Sequence, residues 1–99
     1  MKYSHMTKNV TAPRGVGGPI LGAQIRAGRA LLRWSGADLV RESRVSHSTI
    51  HRAETINGRT AMTFANASAI RRAFEAAGVE LLAENGGGPG ARLKRRVTD

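Results

Sequence analysis

The stretch from Ser35 to Glu54, SGADLVRESRVSHSTIHRAE, leaves the chain little choice of fold. Ser35 is a good N-cap, and Asp38 stands three residues on, where a carboxylate can answer the free amides of a first helical turn. The pattern predicts a helix over 36–43. Val45 and Ser46 break it, and Ser46 can cap a second helix carrying His47, Ser48, Thr49, Ile50, His51, Arg52, Ala53 and Glu54. Leu39, Val45, Ile50 and Ala53 are spaced to point inward together. Two short helices joined by a tight turn form a unit suited to reading DNA, and the flanking segments read as its support.

From Ile20 to Arg33 the residues Leu21, Ile25, Gly28 and Leu32 recur at helical spacing, with Arg26, Arg29 and Arg33 between them. Trp34 closes this helix and is expected to plug the junction with the next one rather than stack on a base. After Glu54, Asn57-Gly58 signals a turn. Thr60 or Thr63 can cap a fourth helix, whose stripe Phe64, Ala67, Ile70, Phe74 and Ala77 should face the core, with Arg71, Arg72 and Glu75 off it. Gly78 is a natural residue to end it. Val79-Glu80-Leu81 and Ala91-Arg92-Leu93-Lys94 alternate on either side of the turn-rich Asn85–Gly90, which describes a hairpin. Because an isolated hairpin is marginal in water, it should pack on the fourth helix or pair across a dimer.

The expected fold is mainly α, a four-helix domain with a helix-turn-helix and a short C-terminal β-hairpin. Its organisation is a basic arm over 1–19, a domain over 20–78, and a hairpin with a basic tail over 79–99. Pro13, Gly15, Gly17, Gly18 and Pro19 argue against regular structure in the arm, from which Lys2, Lys8 and Arg14 could reach the minor groove or phosphates. Ser4-His5-Met6 resembles an expression-vector scar, so residues 1–5 stay out of the fold reading. Arg95 and Arg96 are expected to be solvated.

Ninety-nine residues suffice for one domain, and an ordered core of about 60 residues is a size at which dimerisation commonly helps. A homodimer is therefore expected. Sixteen Lys and Arg against seven Asp and Glu give a net charge of +9, which points to a polyanionic partner, nucleic acid first. The absence of cysteine excludes a disulfide framework, a thiolate nucleophile and a Cys-based zinc site, and fits a reducing compartment. No apolar run approaches membrane-spanning length and no secretory signal is evident, so a cytoplasmic protein is expected. Enzymatic activity is not expected. His47 and His51 are spaced i, i+4 like a metal pair, but Ser48 stands where a zincin needs Glu, and no third ligand clusters with them. The glycine run 86–88 lacks the Gly-Lys-Ser/Thr of a phosphate loop. No cofactor or metal is implied.

An α-helix fits the DNA major groove, and the exposed residues of its N-terminal part reach the base edges. With Ile50 and Ala53 inward, His47, Ser48, Thr49 and Arg52 are the candidate base readers. Arg52 can pair with guanine through two hydrogen bonds. Phosphate contacts are expected from the amides near Gly36 and from Arg41, Arg44, His51 and Arg59.

Trp34-Ser35, Asp38-Leu39, Val45-Ser46, Ser48-Thr49-Ile50 and Arg52-x-Glu54 resemble the signature of the lambdoid repressor and Cro family of helix-turn-helix regulators, also called the xenobiotic-response-element family. The segments from Ile70 to Glu80 and from Glu84 to Gly90 resemble small bacterial members that end in a short hairpin. The resemblance implies a lambda-repressor-like domain, acting as a dimeric repressor on a short inverted repeat of double-stranded DNA. It also implies that Arg29 pairs with Glu54, tying the reading helix to the scaffold, and that His47, Ser48 and Arg52 hold base-contacting positions. Gly36 stands where many members carry a supporting Gln, which implies a weaker grip. Arg44 stands where many carry Gly, which implies a strained or altered turn. Thr55-Ile56 also departs from the usual residue-Gly ending. The Gly36 and Arg44 departures raise a second reading, an antitoxin or antiactivator that acts by holding another protein.

Overall fold

In the computed structural model, residues 19–94 form four helices and one hairpin: α1 (Gly22–Leu32), α2 (Gly36–Ser43), α3 (His47–Glu54), α4 (Phe64–Ala77), β1 (Val79–Leu82) and β2 (Gly90–Leu93). These are the residues described; the expectations for Lys2, Lys8, Arg14, Arg95 and Arg96 fall outside them. The mainly helical architecture with a terminal hairpin is the one expected. Among the described residues no helix is long and apolar enough to cross a membrane.

Local chemistry sets most of the boundaries. The Ser35 hydroxyl accepts from the Asp38 amide (3.0 Å) while the Asp38 carboxylate accepts from the Ser35 amide (2.8 Å), a reciprocal box that starts α2. Ser46 caps α3 through the Thr49 amide (3.2 Å), and Thr63, not Thr60, caps α4 through the Asn66 amide (3.1 Å). Gly78 ends α4 in the left-handed region at φ 99°.

The first helix begins two residues later than its apolar spacing suggests. Ile20 stays extended because its carbonyl accepts from both the amide and the hydroxyl of Thr60 (3.1 and 3.0 Å), and Leu21 bridges to Arg59. The loop after α3 thereby folds back on the start of α1, where the Gly22 amide donates to the Gly58 carbonyl (2.8 Å). Only glycine fits at position 22, since a Cβ there would run into the carbonyl oxygens of Ile56 and Ala53. At its other end α1 stops at Leu32; Arg33 takes the left-handed region at φ 57°, and the Trp34 amide returns to the Arg29 carbonyl (2.9 Å).

The core gathers Ile20, Ile25, Leu39, Val45, Ile50, Ala53, Ile70, Ala73, Phe74, Val79 and Leu81. Phe74, fully buried, sits at its centre: its ring lies against Gly28, where a Cβ would be 2.8 Å away, and stacks on Trp34 at 5.8 Å between centroids. Trp34 thus joins α1 and α2 to α4 as a packing residue. One part of the apolar stripe on α4 fails. Phe64 is 80% exposed and Ala77 is exposed, while Ala73 takes a core place. Phe64 is the first residue of the helix, and that turn extends past the core instead of over it.

The hairpin pairs antiparallel from Val79–Leu93 to Leu82–Gly90 and packs on α1 as well as α4, a wider contact than the sequence suggests. Buried Gln24 explains the attachment. Its Oε1 accepts from the Leu21 amide (3.0 Å), and its Nε2 donates to the carbonyls of Leu82 (2.8 Å) and Gly90 (2.9 Å). The start of α1 and the loop end of the ladder are satisfied by one side chain, and the core runs through Gly78 without interruption.

Candidate nucleic-acid interface

The geometry of α3 follows from what holds its two ends. At its N-terminus lies a three-residue link over 44–46. The buried Ser43 hydroxyl donates to the Leu39 carbonyl (2.7 Å) and accepts from the Val45 amide (3.1 Å), which stitches the link to α2. Arg44 carries the left-handed bend at φ 63°, ψ 20°, with its amide on the Val40 carbonyl (2.8 Å). The departure from glycine leaves the bend intact: the strain falls on Arg44 and is tolerated there because neighbouring hydrogen bonds fix the backbone on both sides.

At the other end, Glu54 is gripped from α1. Arg29 Nε donates to Glu54 Oε2 and Nη2 to Oε1, both at 2.7 Å, and its Nη1 reaches the Trp34 carbonyl at 2.9 Å. The hydrogen-bonded carboxylate holds the Arg29 guanidinium charged, raising its pKa despite partial burial. Arg26 adds a second clamp one turn earlier. Its guanidinium donates to the carbonyls of Glu54 (2.6 Å) and Ile56 (3.0 Å) and to the Asn57 side chain, fixing the loop that follows α3. Neither Arg26 nor Gln24 was identifiable from the sequence, because the partners lie 28 to 31 and 58 to 66 residues away.

Between these anchors Ile50 and Ala53 are buried, while His47, Ser48, His51 and Arg52 are exposed and Thr49 is half-buried. The rings of His47 and His51 lie parallel, 6.4 Å apart. Ser48 approaches the capping Ser46 hydroxyl at 3.5 Å, and the Thr49 hydroxyl accepts from Ser46 (2.9 Å), so part of the hydrogen-bonding capacity of Thr49 is used within the cap. Among the described residues no group of three His, Asp or Glu is arranged to hold a metal ion.

The cations around α3 differ in availability. Arg44, Arg52 and Arg59 are exposed and form no ion pair with any described residue. Arg41 is already engaged, at 2.9 Å from Asp38 and 3.6 Å from Glu42. The Ser35 amide first, and then Arg41, hold the Asp38 carboxyl below the ordinary aspartate range. Gly36 begins α2, and nothing would touch a Cβ there within 4 Å, so the position is open. Arg44 also shares a shallow groove between α2 and α4 with Arg72, which the helical spacing places off the apolar stripe of α4. A second groove, of about 320 Å³, runs beside α3 and is lined by Thr49, Arg52, Ala53, Ile56, Met62 and Thr63 among others.

Comparison with protein-family models, curated proteins and solved structures returned no match.

Proposed function

We propose that this chain is a sequence-specific regulator that binds double-stranded DNA. In this reading it is a lambda-repressor-like helix-turn-helix protein of the lambdoid repressor and Cro type, acting in the cytoplasm as a homodimeric repressor on a short inverted repeat. The observation that carries the reading is the division of α3. One side, Ile50 and Ala53, is buried, and the other presents His47, Ser48, His51 and Arg52 from a helix clamped at both ends, in a chain of net charge +9. A rigid helix with an exposed polar face meets the steric requirement of the major groove, and pre-ordering it lowers the cost of binding.

In this reading Arg52 pairs with guanine, while His47 and Ser48 make shorter contacts to base edges. Thr49 contributes less than its position suggests, since its hydroxyl is held by Ser46. Arg44, Arg59 and His51, with the amides at Gly36, set the orientation through phosphates, and Arg41 joins them by exchanging its carboxylate partners for phosphate. The test is binding of the purified full chain to a library of genomic DNA fragments at moderate salt. A small set of fragments should bind at least about a thousandfold more tightly than the rest. Uniform weak binding to every fragment would overturn the reading.

A further inference from the structure

The run Thr60–Ile70, TAMTFANASAI, holds no charged residue in a chain with 16 Lys and Arg. Folding leaves much of its beginning outside. Phe64 is 80% exposed at the first position of α4, and Ile56, on the preceding loop, is 45% exposed. Ala61, Met62 and Thr63 line the 320 Å³ groove beside α3, so the recess and the protruding phenyl ring come from consecutive residues.

We infer that this face joins two copies of the chain, with Phe64 of each copy seated in the groove of the other. The inference rests on the homodimer in the reading above and assigns its contact surface. Charge favours a second copy over a different protein. Two chains of +9 repel each other and approach most readily through a surface poor in cations, whereas a partner chosen by charge would be acidic and would find only Arg52 in this groove. Symmetry favours it as well. A two-fold contact uses the same patch on both copies, and a patch that carries both a protrusion and a recess can complement itself. Placement adds a third argument: Ala53 and Thr55, at the C-terminal end of α3, also line the groove, so a two-fold contact here fixes the two α3 helices relative to each other, as an inverted repeat demands.

The experiment is sedimentation equilibrium of the full chain without DNA, at physiological salt and across the micromolar range. The unaltered chain should show a monomer–dimer equilibrium. Phe64→Glu and, separately, Ala61→Lys should each weaken it at least about tenfold, with the helical circular dichroism unchanged because both side chains are exposed. An equimolar mixture of the two variants should recover dimers. Each mixed pair keeps one native Phe64-in-groove contact and places a glutamate against a lysine in the other. A chain that stays monomeric throughout, variants that associate as tightly as the original, or a mixture that fails to recover would each overturn the inference. No DNA is present, so a chain that dimerises in this way but reads no sequence would refute the proposed function and leave the contact standing.

Discussion

Arg29 on α1 and Glu54 at the end of α3 meet through two parallel hydrogen bonds of 2.7 Å, with their side chains only 23% and 14% exposed. A pair this sheltered is far less screened than one in open solvent, and removing either partner strands the other among poorly hydrated neighbours. Arg29→Ala or Glu54→Ala should therefore cost about 2–4 kcal/mol in urea unfolding. The double variant should cost less than the sum of the two by at least about 1 kcal/mol, because the second change removes the stranded group.

Arg44 stores strain where glycine would not. Arg44→Gly should raise stability by up to about 1 kcal/mol, the relief of the left-handed conformation less the extra freedom of glycine in the unfolded chain. The same change removes an exposed cation from beside α3. In the proposed role, DNA affinity should fall and the salt dependence of binding should flatten by about one unit of slope. Thermal unfolding and DNA binding measured on the same variant should move in opposite directions.

Arg52 and Arg41 separate reading from holding. Arg52→Ala should cost about 1–3 kcal/mol of discrimination between the preferred site and a site altered at one guanine. Arg41→Ala should weaken all sequences alike, and only modestly, because Asp38 and Glu42 already compete for that guanidinium. Equal retention of specificity by both variants would show that Arg52 is not the reader.

Asp38 makes the start of α2 sensitive to acid. Its folded pKa lies below the unfolded value, so its contribution is complete above the ordinary carboxylate range, about pH 4, and is lost as the pH falls through the lower folded value. Asp38→Asn should be less stable than the original chain near neutrality, and the gap should close on acidification below about pH 4. Unfolding curves of both proteins at several pH values measure this directly.

What could be read from the sequence was what is encoded within one turn of helix. Ser35 with Asp38, Ser46, Thr63 and Gly78 act on amides and carbonyls no more than a few residues away, so the composition there nearly determines the geometry. Inward positions such as Leu39, Val45, Ile50 and Ala53 were equally legible, because a short helix with two buried sites has only one face to bury. Phe64 departs from its stripe because periodicity describes a helix face and not where the core beneath it ends. Gln24 and Arg26 look like ordinary polar surface residues until their distant carbonyl partners are brought beside them. Within the interface, the spacing marked the outward residues of α3, while the availability of each cation depended on tertiary pairing. That is why Arg41 and Arg44 look alike in sequence and differ in the folded chain.

Gln24 has a further consequence for anyone seeking a minimal version of this protein. A chain cut after Gly78 would keep all four helices, yet the amide of Gln24 would lose both of its acceptors, and Ile25, Ile70 and Phe74 would lose the cover of Val79 and Leu81. The last two strands are therefore expected to unfold with the helices as one cooperative unit, and fragments lacking them would report on a different molecule.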